Sequence, residues 1–433
     1  MRIVRNCKPL KRLIFVVRSI ISGLSLCGLL ALGWYSVLLA RADILFRGDS
    51  LTTLRAATAL APSNADYHAL LAEHLEVAGL NPDTELEIAA GLSPRESRYW
   101  IRLAFRAELE QKYDDCERYL LQAYRVDRGF DPRWALMNYY FRRGMLPQFW
   151  KFARQTLDMS YGSLDPVFRL CLAADTDPSA TRRILPPRRE ILFAFFTYLV
   201  RHQQIASASA VAEELAPAAR PDEVAGLIDY CDLQMGHDNR SCLTVWNDLC
   251  RRRLVPFSEL APERGEIVTD GDFPAPPVQL GFDWIYGAAN GVSVGPIDGA
   301  QGISADISGE QSDSATIMEQ EIPLSPGKQY SLNYEYRLTD ALPASERHDI
   351  RSGSGLQWEI RGGFPGAGGG APIAVSPVLS ATDWNDGRMT FSAGQRDAAK
   401  LILQYRRALG TVRWKGAVQI RRVTSGIVPG LIQ

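Results

Sequence analysis

Two carboxylates, Glu335 and Glu359, come nearest to the pair that glycoside hydrolysis needs, an acid and a base flanking the scissile bond. Each lies in a stretch of alternating apolar and polar residues, on the side opposite the apolar row, so both are expected on a solvent-facing sheet surface. Exposed acids on sheets are commonplace, and a solvated face is the simpler reading. Gly291-Val292-Ser293-Val294-Gly295 spells a nucleophile elbow, yet that motif needs a strand, a turn and a helix, and Pro296 follows with no helical pattern behind it. The five histidines, His68, His74, His202, His237 and His348, are scattered; His68 and His74 are spaced wrongly for two ligands on one helix face. The seven cysteines, Cys7, Cys27, Cys116, Cys171, Cys231, Cys242 and Cys250, form neither a redox nor a zinc spacing. A Cys231–Cys242 or Cys242–Cys250 bridge suits an oxidising compartment, and buried free thiols are the equal alternative. The glycine cluster from Gly362 to Gly370 follows a strand but precedes no helix, so it reads as a loop between strands rather than a phosphate cradle. No catalytic residue, metal or cofactor is therefore expected.

The elements around these residues begin with an uncharged apolar run, Ser19 to Ala40, long enough to cross a bilayer as one helix. Arg2, Arg5, Lys8, Lys11 and Arg12 precede it and no acid appears before Asp43, which places the N-terminus on the cytoplasmic side and the bulk of the chain across an inner (plasma) membrane, periplasmic or extracellular. Ala40-Arg41-Ala42 has the form of a cleavage site, but the run exceeds the usual length of a signal peptide's apolar region, which favours a permanent anchor. Lys and Arg total 48 against 49 Asp and Glu, a balance that argues against a general nucleic-acid binder. Roughly 390 residues follow the run, enough for two or three domains.

From Ala42 to about Pro262 the apolar residues recur at helical spacing. Asp131-Pro132 and Asp165-Pro166 stand 34 residues apart, the period of a helix-turn-helix repeat. The unit after Pro94 carries Trp100, Leu103, Ala104, Ala107, Lys112-Tyr113, Cys116, Leu120 and Ala123. This spacing resembles the tetratricopeptide (TPR) family, with Ala104 and Cys116 where helices touch. The unit with His68, Leu71, Ala72 and Leu75 keeps the same register, the unit with Leu136, Met137, Tyr140 and Gly144 is looser, and beyond Pro166 the pattern fades. The resemblance implies an α-solenoid whose concave surface holds a protein partner, with Arg98, Ile101, Phe105, Glu108, Trp134 and Asn138 lining the groove. Packing against the next helix is the competing role for the apolar three.

From about Glu266 the texture turns to glycine and short alternating strands. In Tyr330–Leu338 the residues Tyr330, Leu332, Tyr334, Tyr336 and Leu338 share one face; Leu356, Trp358 and Ile360 alternate in the same way. Strands are also expected at Met389–Phe391, Leu401–Tyr405, Val412–Trp414 and Ala417–Val423. Asp270-Gly271-Asp272-Phe273, Gly281-Phe282-Asp283-Trp284 and Gln320 to Gly327 followed by Tyr330 are similar to the opening and the Pro-Gly turn of carbohydrate-binding-module and galactose-binding-like domains. That resemblance implies an antiparallel jelly-roll β-sandwich. It also implies a structural calcium held partly by Asp270 and Asp272, but the last strand is basic, Arg421-Arg422, where the family's acids are expected. Sugar C–H faces stack on exposed aromatic rings, which singles out Tyr286, Trp384 and Trp284, with core packing as the competing role for Trp284.

The expected organisation is a cytoplasmic stub and transmembrane anchor over 1–41, a TPR-like helical region over 42–262 and a jelly-roll sandwich over 266–433. It describes a membrane-anchored, non-enzymatic cell-envelope scaffold that binds a protein through its repeats and glycan through its sandwich. By analogy of domain combination alone, its setting is assembly or export of surface polysaccharide. The alternative is a glycan-active hydrolase or lyase with the sandwich as catalytic domain.

Overall fold

The structure, a computed structural model, describes residues 8–48, 50–159, 162–274, 277–339, 354–362 and 371–428. Arg2, Arg5, Cys7, His348 and the glycines from Gly363 to Gly370 lie outside the described residues, as do the side chains of Lys8, Lys11 and Arg12. The chain divides into two compact units, Met1–Ile191 and Leu192–Gln433.

The first unit is helical. α1 (Lys8–Phe46) is followed by α2 (Leu51–Leu60), α3 (Ala65–Val77), α4 (Asp83–Leu92), α5 (Ser97–Leu109), α6 (Tyr113–Val126), α7 (Phe130–Arg142), α8 (Leu146–Asp158), α9 (Asp165–Ala174) and α10 (Pro178–Ile184). The 26 residues Ile21–Phe46 of α1 are apolar enough to cross a membrane. At 1.5 Å per residue they reach about 39 Å, more than the ~30 Å hydrocarbon layer. Leu24, Leu29, Leu30, Leu32 and Trp34 are each about two-thirds exposed. By Ala42 the helix is packed: Ala42 is buried, and Phe46 stacks on Tyr67 of α3 at 4.5 Å.

Three antiparallel hairpins follow, α3/α4, α5/α6 and α7/α8. Each turns through a left-handed residue, Gly79, Gln111 and Gly144, spaced 32 and 33 residues apart. Ala104 and Cys116 are fully buried where α5 meets α6, and burial pushes the Cys116 thiol up to about 12. Trp100 donates its indole N–H to the Pro94 carbonyl at 2.9 Å, fixing the entry to the hairpin. Arginines on α5 reach back to the preceding hairpin: Arg98 to Asp66 at 2.6 Å, Arg102 to the Ala69 carbonyl at 2.9 Å and Arg106 to Asp83 at 3.1 Å. This is a TPR-like stack of helical pairs.

α11 (Arg189–Arg201) runs across the division between the units. The second unit continues with α12 (Ile205–Leu215), α13 (Val224–Gln234) and α14 (Asn239–Arg251). The α11/α12 and α13/α14 turns again carry left-handed residues, Gln203 and Gly236, 33 apart, so the hairpin persists where the consensus letters fade. Among the described residues ten strands follow: β1 (Ile285–Tyr286), β2 (Val292–Pro296), β3 (Ile303–Ile307), β4 (Ser314–Pro323), β5 (Gln329–Thr339), β6 (Gly355–Arg361), β7 (Ala374–Val375), β8 (Asn385–Ser392), β9 (Ala398–Arg406) and β10 (Gly416–Ile427). They form two antiparallel five-stranded sheets, β1-β4-β9-β6-β7 and β2-β3-β10-β5-β8. Alternation puts Tyr330, Leu332, Tyr334, Tyr336 and Leu338 of β5 against Trp284, Trp358 and Ile360 in a shared core. Val412–Trp414 is not a strand: Trp414 donates its N–H to the Tyr405 hydroxyl and its carbonyl accepts from Gln311, so the segment is tied down by side chains before β10 begins.

The α13/α14 hairpin is bonded to the sandwich within this unit. Asp232 accepts from the Gly281 N–H at 2.5 Å, Asn239 donates to Asp397 at 2.9 Å, and Trp246 meets Phe282 edge-on at 5.8 Å. The Asn247 side chain bonds both the N–H and the carbonyl of Leu260, closing the connection between helix and strands.

Candidate functional site

The outer face of the second sheet gathers the polar residues that alternate with the β5 core row. β5 presents Asn333, Glu335 and Arg337 outward. Antiparallel register sets Arg337 opposite Gln419 of β10, and Glu335 between Asp386 of β8 and Arg422 of β10. A β-bulge between Ile420 and Arg422 breaks the alternation of β10, so Arg421 and Arg422 both face outward before Val423 returns to the core. Trp384, immediately before β8, extends the row that contains Arg337. The guanidinium of Arg337 lies 4.8 Å and that of Arg421 4.5 Å from its ring centroid, both over the ring. Arg337 Nε donates to Gln419 Oε1 at 2.8 Å. Arg421 pairs with Glu335, whose carboxyl it holds below the usual glutamate range, and Arg422 stands 4.0 Å from the same group. With Asp272, Ile297, Ala300, Gln301 and Thr424, the side chains of Arg337, Trp384, Arg421 and Arg422 line an open depression of about 730 Å³.

The other two aromatic candidates lie elsewhere. Trp284 is fully buried among Phe273 and Trp358 and bonds the Asp270 carbonyl, so it leaves no ring face for a sugar; it is a core residue. Tyr286 is half-buried on β1, an edge strand of the opposite sheet, and burial pushes its hydroxyl up to about 12. The two glutamates do not share a surface. Glu335 is on β5 of the second sheet, whereas Glu359 is on β6 of the first, fully buried and flanked by Arg361 at 2.7 Å and Arg406 at 2.6 Å. Its position opposite the apolar row was legible, but not its enclosure. The pair therefore cannot flank one bond. Ser293 lies on β2, with no helix behind it.

Asp270 sits in left-handed backbone beside β10, with its Oδ2 buried and unbonded. Burial, then the charges of Asp283 and Asp272, raise its carboxyl to about 7. Calcium takes six or more oxygens, and among the described residues no three His, Cys, Asp or Glu side chains converge on a metal position. The residues present thus do not fit the ion that the jelly-roll resemblance implies. The consequence is electrostatic. The unfolded carboxyl ionises near pH 4 and the folded one only near pH 7, so stability is lost as pH rises between these values. Asp270→Asn, which tolerates left-handed backbone, is expected to flatten that decline. At pH 8 it should stabilise by about 1–2 kcal/mol, since solvent screens a half-buried carboxyl; urea midpoints at pH 4, 6 and 8 measure this.

Along the helical repeats, the polar groove candidates are occupied. Arg98 pairs with Asp66 at 2.6 Å, Glu108 accepts two bonds from Arg142 at 2.8 and 2.6 Å, and Asn138 donates to the Trp134 carbonyl at 2.8 Å. Trp134 stacks on Phe130 at 6.0 Å and Ile101 is half-buried. Phe105 stays 45% exposed, and with it Leu109 at 71% and Val77 at 85%. Val77 and Leu109 hold the same place at the ends of α3 and α5, and that 32-residue recurrence is a signal the sequence carried.

No protein-family model and no curated protein matches the chain. Among solved structures it is similar to one described as "CBM4 structure and function", at 14% identity over 37% of this chain and 99% of that one, TM-score 0.28. It is similar also to the CBM22-1 xylan-binding domain from Paenibacillus barcinonensis Xyn10C, at 13% over 37% and 93%, TM-score 0.26. A third likeness is to Pseudomonas aeruginosa pilF, at 16% over 46% and 96%, TM-score 0.29. Likenesses this distant do not bear on what the chain binds.

Proposed function

We propose that this chain is a membrane-anchored, non-enzymatic scaffold of the cell envelope that holds glycan on the outer face of its second sheet and a protein partner on its helical repeats. One observation carries the reading: Trp384, partly exposed, stands with polar side chains in an open depression of about 730 Å³. An aromatic ring beside convergent hydrogen-bonding groups is what a sugar needs, an apolar face and polar edges. The exposed side chains of Val77, Phe105 and Leu109 support the protein contact, and α1 supports anchorage, with the N-terminus cytoplasmic and the rest periplasmic or extracellular. Assembly or export of a surface polysaccharide is the setting that suits both binding surfaces.

The test is retention of the detergent-solubilised full chain on a panel of immobilised glycans. Trp384→Ala is expected to weaken binding roughly tenfold, about 1.4 kcal/mol, for the lost stacking face. Glycan binding that ignores Trp384 would move the site elsewhere, and retention on no glycan would remove the sandwich from the proposal.

A further inference from the structure

Resting on the glycan reading of the Trp384 face, we infer that the glycan is anionic and carries carboxylates, as a uronate-containing chain does. The bulge in β10 turns two consecutive arginines outward where strict alternation would bury one. Arg421 and Arg422 then share one carboxylate, Glu335. Arg337 has no carboxylate partner among the described residues; only its Nε is bonded, to a neutral glutamine, which leaves its terminal nitrogens open. Arg388, opposite Asn333, adds a fourth cation to the same face. The same face also carries Glu335, Asp386 on the edge strand β8 and Asp306 on β3, and Asp272 is among the lining residues of the depression. Arg337 lies over the Trp384 ring, while Glu335 and Asp386 stand opposite each other in the neighbouring row. A guanidinium offers two parallel N–H groups that match a carboxylate, and it sits here within reach of the ring a pyranose would cover. A neutral sugar would use the ring but leave the terminal N–H groups of Arg337 without a carboxylate.

The experiment measures binding of the solubilised full chain to four soluble polymers at low and high salt: a polyuronate, a sulfated glycan, a neutral glucan and polyglutamate. The polyuronate is expected to bind at least tenfold more tightly than the glucan and to weaken with salt. Arg337→Gln and Arg422→Gln should each reduce that binding several-fold, with Arg337→Lys restoring part of it, while thermal midpoints stay near that of the wild type. Equal affinity for glucan and polyuronate, lost in Trp384→Ala but untouched in the arginine variants, overturns the anionic assignment and leaves the glycan reading standing. Tighter binding of the sulfated glycan overturns the carboxylate. Polyglutamate binding as tightly as polyuronate, or no polymer binding at all, overturns this inference and the glycan reading together.

Discussion

The double variant Arg361→Met/Arg406→Met will unfold at a much lower urea concentration than the wild type, with a loss of about 3–5 kcal/mol. Glu359 is wholly enclosed, while Arg361 and Arg406 remain 27% and 41% exposed, so the two cations can reach water and the carboxylate cannot. Arg361 Nε and Arg406 Nη2 donate to Glu359 Oε2 at 2.8 and 3.1 Å, and Arg406 Nε stands close to Oε1 without aligning for a hydrogen bond. Removing both guanidiniums strands a buried charge. Adding Glu359→Gln to the double variant should recover most of the loss, because the stranded charge is then gone. Glu335→Gln provides the contrast. Its pair with Arg421 faces solvent, and such pairs contribute at most about 1 kcal/mol. Equal losses from Glu335→Gln and the Arg361/Arg406 double variant would show that burial of Glu359 does not govern the difference.

These two glutamates also mark the boundary of what the sequence disclosed. Alternation is a local rule: it placed both on the side opposite their apolar rows, and it placed the β5 core row, because one buried face enforces period two along a strand. What lies over that opposite side is decided by residues distant in the chain, so Glu359 could not be told from Glu335. β10 shows the complementary failure. Strict alternation from Val418 and Ile420 would turn Arg422 inward and Val423 outward; the strand instead inserts an extra residue, which keeps both arginines in water and Val423 in the core. Two arginines followed by valine were the visible sign of that bulge. In the helices, small residues at the contacts made α5/α6 readable, and Trp284 was readable as core. The later hairpins lost those consensus residues but kept the left-handed turns at Gln203 and Gly236, and a glutamine in that conformation carries no distinctive letter.

Gly281→Ala is expected to be a strongly disruptive single-methyl change in the second unit. The residue holds φ +66°, and a Cβ there would lie 2.6 Å from the Trp246 ring. The left-handed backbone costs an alanine about 1–2 kcal/mol, and forcing a methyl into packed aromatic surface adds about 1–3 kcal/mol. Gly299→Ala separates the two contributions, since it shares the conformation at φ +67° but faces open space. Its loss should stop at the backbone cost, whereas Gly281→Ala should lose about 2–5 kcal/mol by urea denaturation. The excess has a structural address. Gly281 donates to Asp232 on α13, and its neighbour Phe282 packs on Trp246 of α14, so backing the chain away from the ring loosens the join of hairpin and sandwich. Combining Gly281→Ala with Trp246→Leu should cost less than the sum of the single changes, because the smaller side chain vacates the space the methyl needs. Strict additivity would show that the clash with Trp246 is not the cause.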